Sequence, residues 1–155
     1  MAFQRNEDMI TGINTIDCSH RWLFIMVDDL LSAMDEGKGR QALDRVFEYL
    51  DYYVRKLQSE EKVMVGYNYD RYPLQKIEHR QFVRDISRLR EEFDARGATL
   101  HLVVHTQKKL CNWLADHVKK EDKQLGAFVK SIQEENVPFR EMGGMSYGSR
   151  NRLLC

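Results

Sequence analysis

The sequence predicts an all-α fold: an antiparallel, up-down-up-down four-helix bundle with an N-terminal arm and an irregular C-terminal tail. Apolar residues recur at three- and four-residue steps through four long stretches, and the breaks between these stretches are short and carry glycine or proline. Only two prolines, Pro73 and Pro138, occur in 155 residues, so nothing interrupts the periodic runs. The bundle is expected to occupy residues 1–133 and the tail 134–155. A single domain of this length buries roughly 68–70% of its unfolded surface and needs no disulfide to hold it.

The first helix is expected from about Asp17 to Glu36, with Asp17 as N-cap and Gly37 as its stop. Trp22, Phe24, Ile25, Val27, Leu30 and Leu31 would form its inward stripe. The second runs from about Arg40 to Val65, where Leu43, Val46, Phe47, Leu50, Tyr53, Val54, Leu57 and Met64 keep the helical step. The third, from about Arg71 to Ala95, has Asp70 as expected cap and Pro73 in its first turn, where the missing N–H costs little. The fourth spans about Leu100 to Gln133 on Val103, Val104, Leu110, Trp113, Leu114, Val118, Leu125 and Phe128. Ahead of the first helix, Phe3, Met9, Ile10, Ile13 and Ile16 are apolar enough to pack across the bundle as an ordered arm. After Glu135 the period is lost among Pro138, glycines and serines.

The 24 basic and 24 acidic residues cancel, so no bulk field directs the chain to nucleic acid or to an anionic membrane. The longest apolar run, Trp22 to Val27, is too short to span a bilayer, and Met1 to Gly12 lacks the apolar stretch of a secretory signal. A cytoplasmic protein with a small ligand is expected, with the tail available to a protein partner. Cys18, Cys111 and Cys155 are odd in number and share no metal-binding or redox spacing. Cys155 is expected as an exposed thiol.

Ionisable residues nevertheless stand on the core-facing stripes, where an unpaired buried charge costs several kcal/mol. Glu60 lies four residues after Lys56 and four before Met64; His79 lies four after Gln75 and three before Phe82; His117 lies four after Trp113. Each therefore shares a helix face with its neighbours. Asp122, five residues past His117, falls about 140° around an ideal helix. It reaches the same side only if the helix is distorted or the side chain bends back. Antiparallel alternation puts His20, Glu60, His79, His117 and Asp122 at one end of the bundle, and such carboxylates and imidazoles can bridge and complete a two-metal site. Phe24, Met64, Phe82 and Trp113 would pack around this pocket and keep it dry. Glu61 and Lys62 read as a solvated face, as do His101 and His105, which lie well away from His117 around the fourth helix.

Gly12-Ile13-Asn14-Thr15-Ile16-Asp17 with His20, Glu60-Glu61-Lys62-Val63-Met64, His79 with Phe82, and Trp113-Leu114 with His117 and Asp122 together resemble the hemerythrins and bacteriohemerythrins over about residues 1–130. The resemblance implies a bundle holding a non-haem di-iron centre that binds O2 reversibly at one iron. Catalysis is not required, because nothing in the sequence forms a nucleophile with its base or a recognisable substrate cleft. His79 and His117 would serve one iron and His20 the other, with Glu60 and Asp122 bridging. Two further family histidines are replaced here, by Lys56 and Gln75. An amide oxygen can ligate a hard metal or hydrogen-bond a carboxylate, whereas an ammonium has no lone pair to give. Lys56 either ion-pairs with Glu60 and Asp122 in place of metal, giving a metal-free structural or signalling module, or turns outward and leaves a ligand-poor iron site for O2 or a related small molecule. A mononuclear iron enzyme using His79, His117 and Glu60 or Asp122 is the third expectation.

Overall fold

The computed structural model describes residues 7–136, and their secondary structure is entirely helical. A short 3₁₀ turn, Glu7–Met9, leads into α1 (Asn14–Asp35), α2 (Gly39–Gly66) and α3 (Tyr72–Arg96). The fourth rod consists of α4 (Leu100–Trp113), a π-helical segment (Leu114–Asp122) and α5 (Lys123–Asn136), joined without a break in helical backbone geometry. Helix α1 packs on α2 and α4, and α3 closes the ring against the same two, as the up-down-up-down order requires. No helix among the described residues is long and apolar enough to cross a membrane. The expected tail falls mostly at positions 137–155, outside the described residues, as do Phe3 and Cys155.

The bundle is held by one long core. Leu23, Val27 and Leu30 of α1 meet Leu43, Val46, Leu50 and Leu57 of α2, Phe82, Ile86 and Leu89 of α3, and Leu102, Val103 and Leu110 of α4. Each fully buried side chain of this kind stabilises the fold by about 1.5–3 kcal/mol. A smaller cluster of Ile16, Met64, Tyr69 and Leu125 closes one end. Met64 is fully buried there, within a helical turn of Glu60.

Several local expectations change. Trp22 and Ile25 are 44% and 42% exposed, and Val104 is 46% exposed. At about 100° per residue the face set by His20, Leu23, Val27 and Leu30 leaves Trp22 and Ile25 outside it, and Val104 is turned out beside buried Val103. Helix α1 starts three residues before Asp17, with Ile13 at the cap position and no side-chain cap bond. Asp17 instead sits in the first turn and accepts from the Thr11 N–H and hydroxyl, both at 2.8 Å, and from the Gly12 N–H at 3.0 Å. It therefore ties down the incoming arm. Asp70 is likewise not the cap of α3, whose N-cap position is Arg71, although Pro73 does occupy the first turn. Gly37 ends α1 as expected: its φ of +72° permits paired bonds from Gly37 N to Met34 O and from Lys38 N to Ala33 O.

The arm is seated against α5. A Cβ at Gly126 would lie 2.3 Å from the Thr11 carbonyl oxygen, so only glycine lets the two backbones approach this closely.

Candidate metal centre

Four helices each send at least one polar side chain into the dry interior near the Met64 end. His20 is 6% exposed, His79 and His117 are each 2% exposed, and Asp122 and Gln75 are fully buried. The π-helical segment resolves the five-residue problem between His117 and Asp122. Bonds from i to i+5 bring residues five apart close to register, and His117 Nε2 lies 3.1 Å from Asp122 Oδ1. A bidentate Arg71–Glu121 pair, at 2.8–3.0 Å, holds this segment to the start of α3. Asp122 Oδ2 is 3.3 Å from His20 Nε2, Asp122 Oδ1 is 3.4 Å from Gln75 Nε2, and Glu60 Oε2 is 3.9 Å from His79 Nε2. The structure thus gathers all five expected residues at one place, with Gln75 beside them.

What these groups lack is as telling as where they stand. Nε2 of His20, His79 and His117, Oε2 of Glu60, Oδ2 of Asp122 and Oε1 of Gln75 are buried without a hydrogen bond among the described residues. The 3.1 Å approach of His117 to Asp122 lacks the alignment of one. Buried polar atoms are rarely left so, because each costs about 1–3 kcal/mol. Imidazole nitrogens and carboxylate oxygens set 3.1–3.9 Å apart without an aligned hydrogen bond fit a cation. One ligand atom each from His79, His117 and Asp122 falls within 4.8 Å of the others.

The imidazoles are also oriented from behind. His79 Nδ1 meets Glu61 Oε1 at 2.9 Å, and His117 Nδ1 meets Glu78 Oε2 at 2.5 Å. A carboxylate on Nδ1 holds the proton there and leaves the Nε2 lone pair facing the interior. Glu61 is therefore not the solvated residue its sequence position implied, and Glu78 was not singled out at all. The only signal for either is adjacency to Glu60 and to His79. Burial and the nearby His117 lower the His79 pKa, favouring the neutral, ligand-ready ring. Burial opposes charge on His117, but its contacts with Asp122 and Glu78 prevail and raise its pKa. Burial likewise works against the Asp122 carboxylate, yet His117 and His20 hold its pKa below the ordinary value. Glu60 is pushed well above the carboxylate range, first by burial and then by Asp122. The carboxylate least stabilised as an anion is thus the one with the least contact to an imidazole.

Lys56 makes no ion pair with Glu60 or Asp122. Its Nζ lies 5.7 Å from the centroid of the Tyr52 ring, and the side chain is half-buried. The expected direct ion pair is therefore not formed, although the Lys56 charge still acts on Glu60 and opposes the rise of its pKa. Phe82 and Trp113 stack at 4.1 Å, and Trp113 stacks on His117 at 4.0 Å, so both wall the site as expected. Phe24 is half-buried and lines a small recess with His20, Arg21 and Leu114. His101 and His105, with rings 5.8 Å apart, lie on the outer face of α4 and take no part.

A sequence model of the family described as "Hemerythrin HHE cation binding domain" matches residues 11–129. The bacteriohemerythrin of Pseudomonas aeruginosa PAO1 is 30% identical over 151 residues, 96% of this chain and 95% of its own length. Those of Methylococcus capsulatus and Stenotrophomonas maltophilia are 28% and 25% identical. The first alignment covers 75% of this chain and 87% of the relative, the second 89% and 88%.

Proposed function

Because the chain belongs to the hemerythrin family, we propose that it binds iron at the convergent end of its bundle and uses that iron to hold O2 or a related small molecule. The observation that carries this reading is the set of buried imidazole nitrogens and carboxylate oxygens of His20, Glu60, His79, His117 and Asp122, left without aligned hydrogen bonds 3.1–3.9 Å from one another. His79, His117 and Asp122 are the tightest position, with His20 and Glu60 as the further ligands and Gln75 as a weak oxygen donor or a hydrogen-bond partner of Asp122.

Bound ferrous iron would supply the electrons that pass to O2 when it binds and return when it leaves. Glu61 and Glu78 orient the two imidazoles, Arg71 and Glu121 hold the π-helical segment in register, and Phe82 and Trp113 line, with His117, an open cleft of about 300 Å³ between α3 and α4 through which a small ligand can approach. Lys56, turned to Tyr52, leaves the Glu60 side one ligand poorer than in the family pattern. A site with one strong and one weak position follows, and family members are typically oxygen carriers or sensors rather than enzymes. Anaerobic Fe(II) loading followed by metal analysis tests the proposal. Iron should be retained by the native chain and lost from a folded His79→Ala, His117→Ala double variant; equal retention by both would reject the site.

A further inference from the structure

Outward from the proposed site runs an unbroken file of oxidisable aromatic side chains. Trp113 stacks on His117 at 4.0 Å with the rings 9° from parallel, and its Nε1–H donates to the Tyr53 hydroxyl at 2.9 Å. The Tyr53 ring also lies 6.1 Å from that of His20, so it touches the site from two sides. From Tyr53 the next ring is Tyr49 at 6.4 Å, and from Tyr49 the next is Tyr52 at 5.7 Å, which is 42% exposed. Tyr53 is 1% exposed, in a position that phenylalanine would fill without a hydroxyl to satisfy. Its hydroxyl is coupled to the one indole that stacks on a candidate ligand.

We propose that Trp113, Tyr53, Tyr49 and Tyr52 form a one-electron relay between the metal centre and the surface. The inference rests on iron binding as proposed above and deepens it: where a single Fe(II) gives one electron, the protein must supply any second one. Reduction of a peroxide takes two. With hydrogen peroxide as oxidant, the O–O bond breaks and two waters form. One electron comes from Fe(II), which becomes Fe(III), and the second is drawn through Trp113 and Tyr53 and replaced in turn from Tyr49 and Tyr52. Tyr52 ends as a neutral phenoxyl radical. Its phenolic proton goes to solvent and, with one further proton from solvent, completes the two waters. The Lys56 ammonium over Tyr52 disfavours positive charge on that ring, so the electron and the proton must leave Tyr52 together.

The test mixes anaerobically Fe(II)-loaded protein, of measured iron content, with hydrogen peroxide. It follows the products by freeze-quench electron paramagnetic resonance and by peptide mapping of oxidised residues. A tyrosine radical and covalent oxidation concentrated at Tyr52 are expected. Tyr52→Phe, a surface change, should leave the radical on Tyr49 and move the covalent oxidation there, and Tyr53→Phe should abolish oxidation at Tyr52 with iron content unchanged. Tyr67→Phe, at an exposed tyrosine outside the file, should alter neither. Iron retained but oxidation spread equally over Tyr52 and Tyr67, or unaffected by Tyr53→Phe, would overturn the relay alone. Absence of iron would overturn both the relay and the binding it depends on.

Discussion

His79 and His117 owe their usefulness to carboxylates on the far side of their rings. If Glu61 and Glu78 fix the Nδ1 protons, Glu61→Gln or Glu78→Gln should lower iron affinity about 10–100-fold while leaving helicity intact, as competition with a chelator would measure. Unchanged affinity would make these contacts incidental. At the two replaced positions the direction is opposite: Lys56→His with Gln75→His should add one ligand on the Glu60 side and one beside Asp122 and raise the iron bound per chain. No gain in a folded double variant would place those positions away from the metal. The five central residues were legible in the sequence because their order and spacing on four amphipathic runs converge on one end. Glu61 and Glu78 were not, because a glutamate at a helix edge looks solvated until the facing helix is in place. The direction of Lys56 was equally hidden, since both its rival orientations satisfy the same periodicity.

At the scale of elements, four helices, their connections and the turn at Gly37 follow from apolar period and breakers, and the structure keeps them. The sequence also exposed a conflict, the 140° between His117 and Asp122, without fixing its solution. A π-helical segment carries no residue preference that periodicity would detect, and it is stable here because Arg71 clamps Glu121 and the core holds Leu114 and Val118. The N-cap assignments to Asp17 and Asp70 failed for a related reason: a carboxylate near a helix start serves tertiary bonds as well as local ones. The seat of the arm yields a prediction. Gly126→Ala drives a methyl into the Thr11 carbonyl and should destabilise the fold by about 1–3 kcal/mol, by the usual cost of overpacking. Thermal unfolding checks it, and a wild-type Tm would show that the arm yields freely.

For the molecule as a whole, the centre trades fold stability for binding capacity. A bundle carrying three imidazoles, two carboxylates and an amide in its interior is penalised without a cation and stabilised with one. Iron at about a hundredfold above its dissociation constant adds about 2.7 kcal/mol, or roughly 5–11 °C in Tm for a chain of this size. A chelator should reverse the shift, and a Tm indifferent to iron would mean that the interior polar set is satisfied without metal. The central claim is tested most directly by iron content per folded chain after anaerobic Fe(II) loading, read beside the His79→Ala, His117→Ala variant. The account predicts at least one iron per native chain and essentially none in the variant. Native chains that load no iron, or a variant that loads as much, would contradict it.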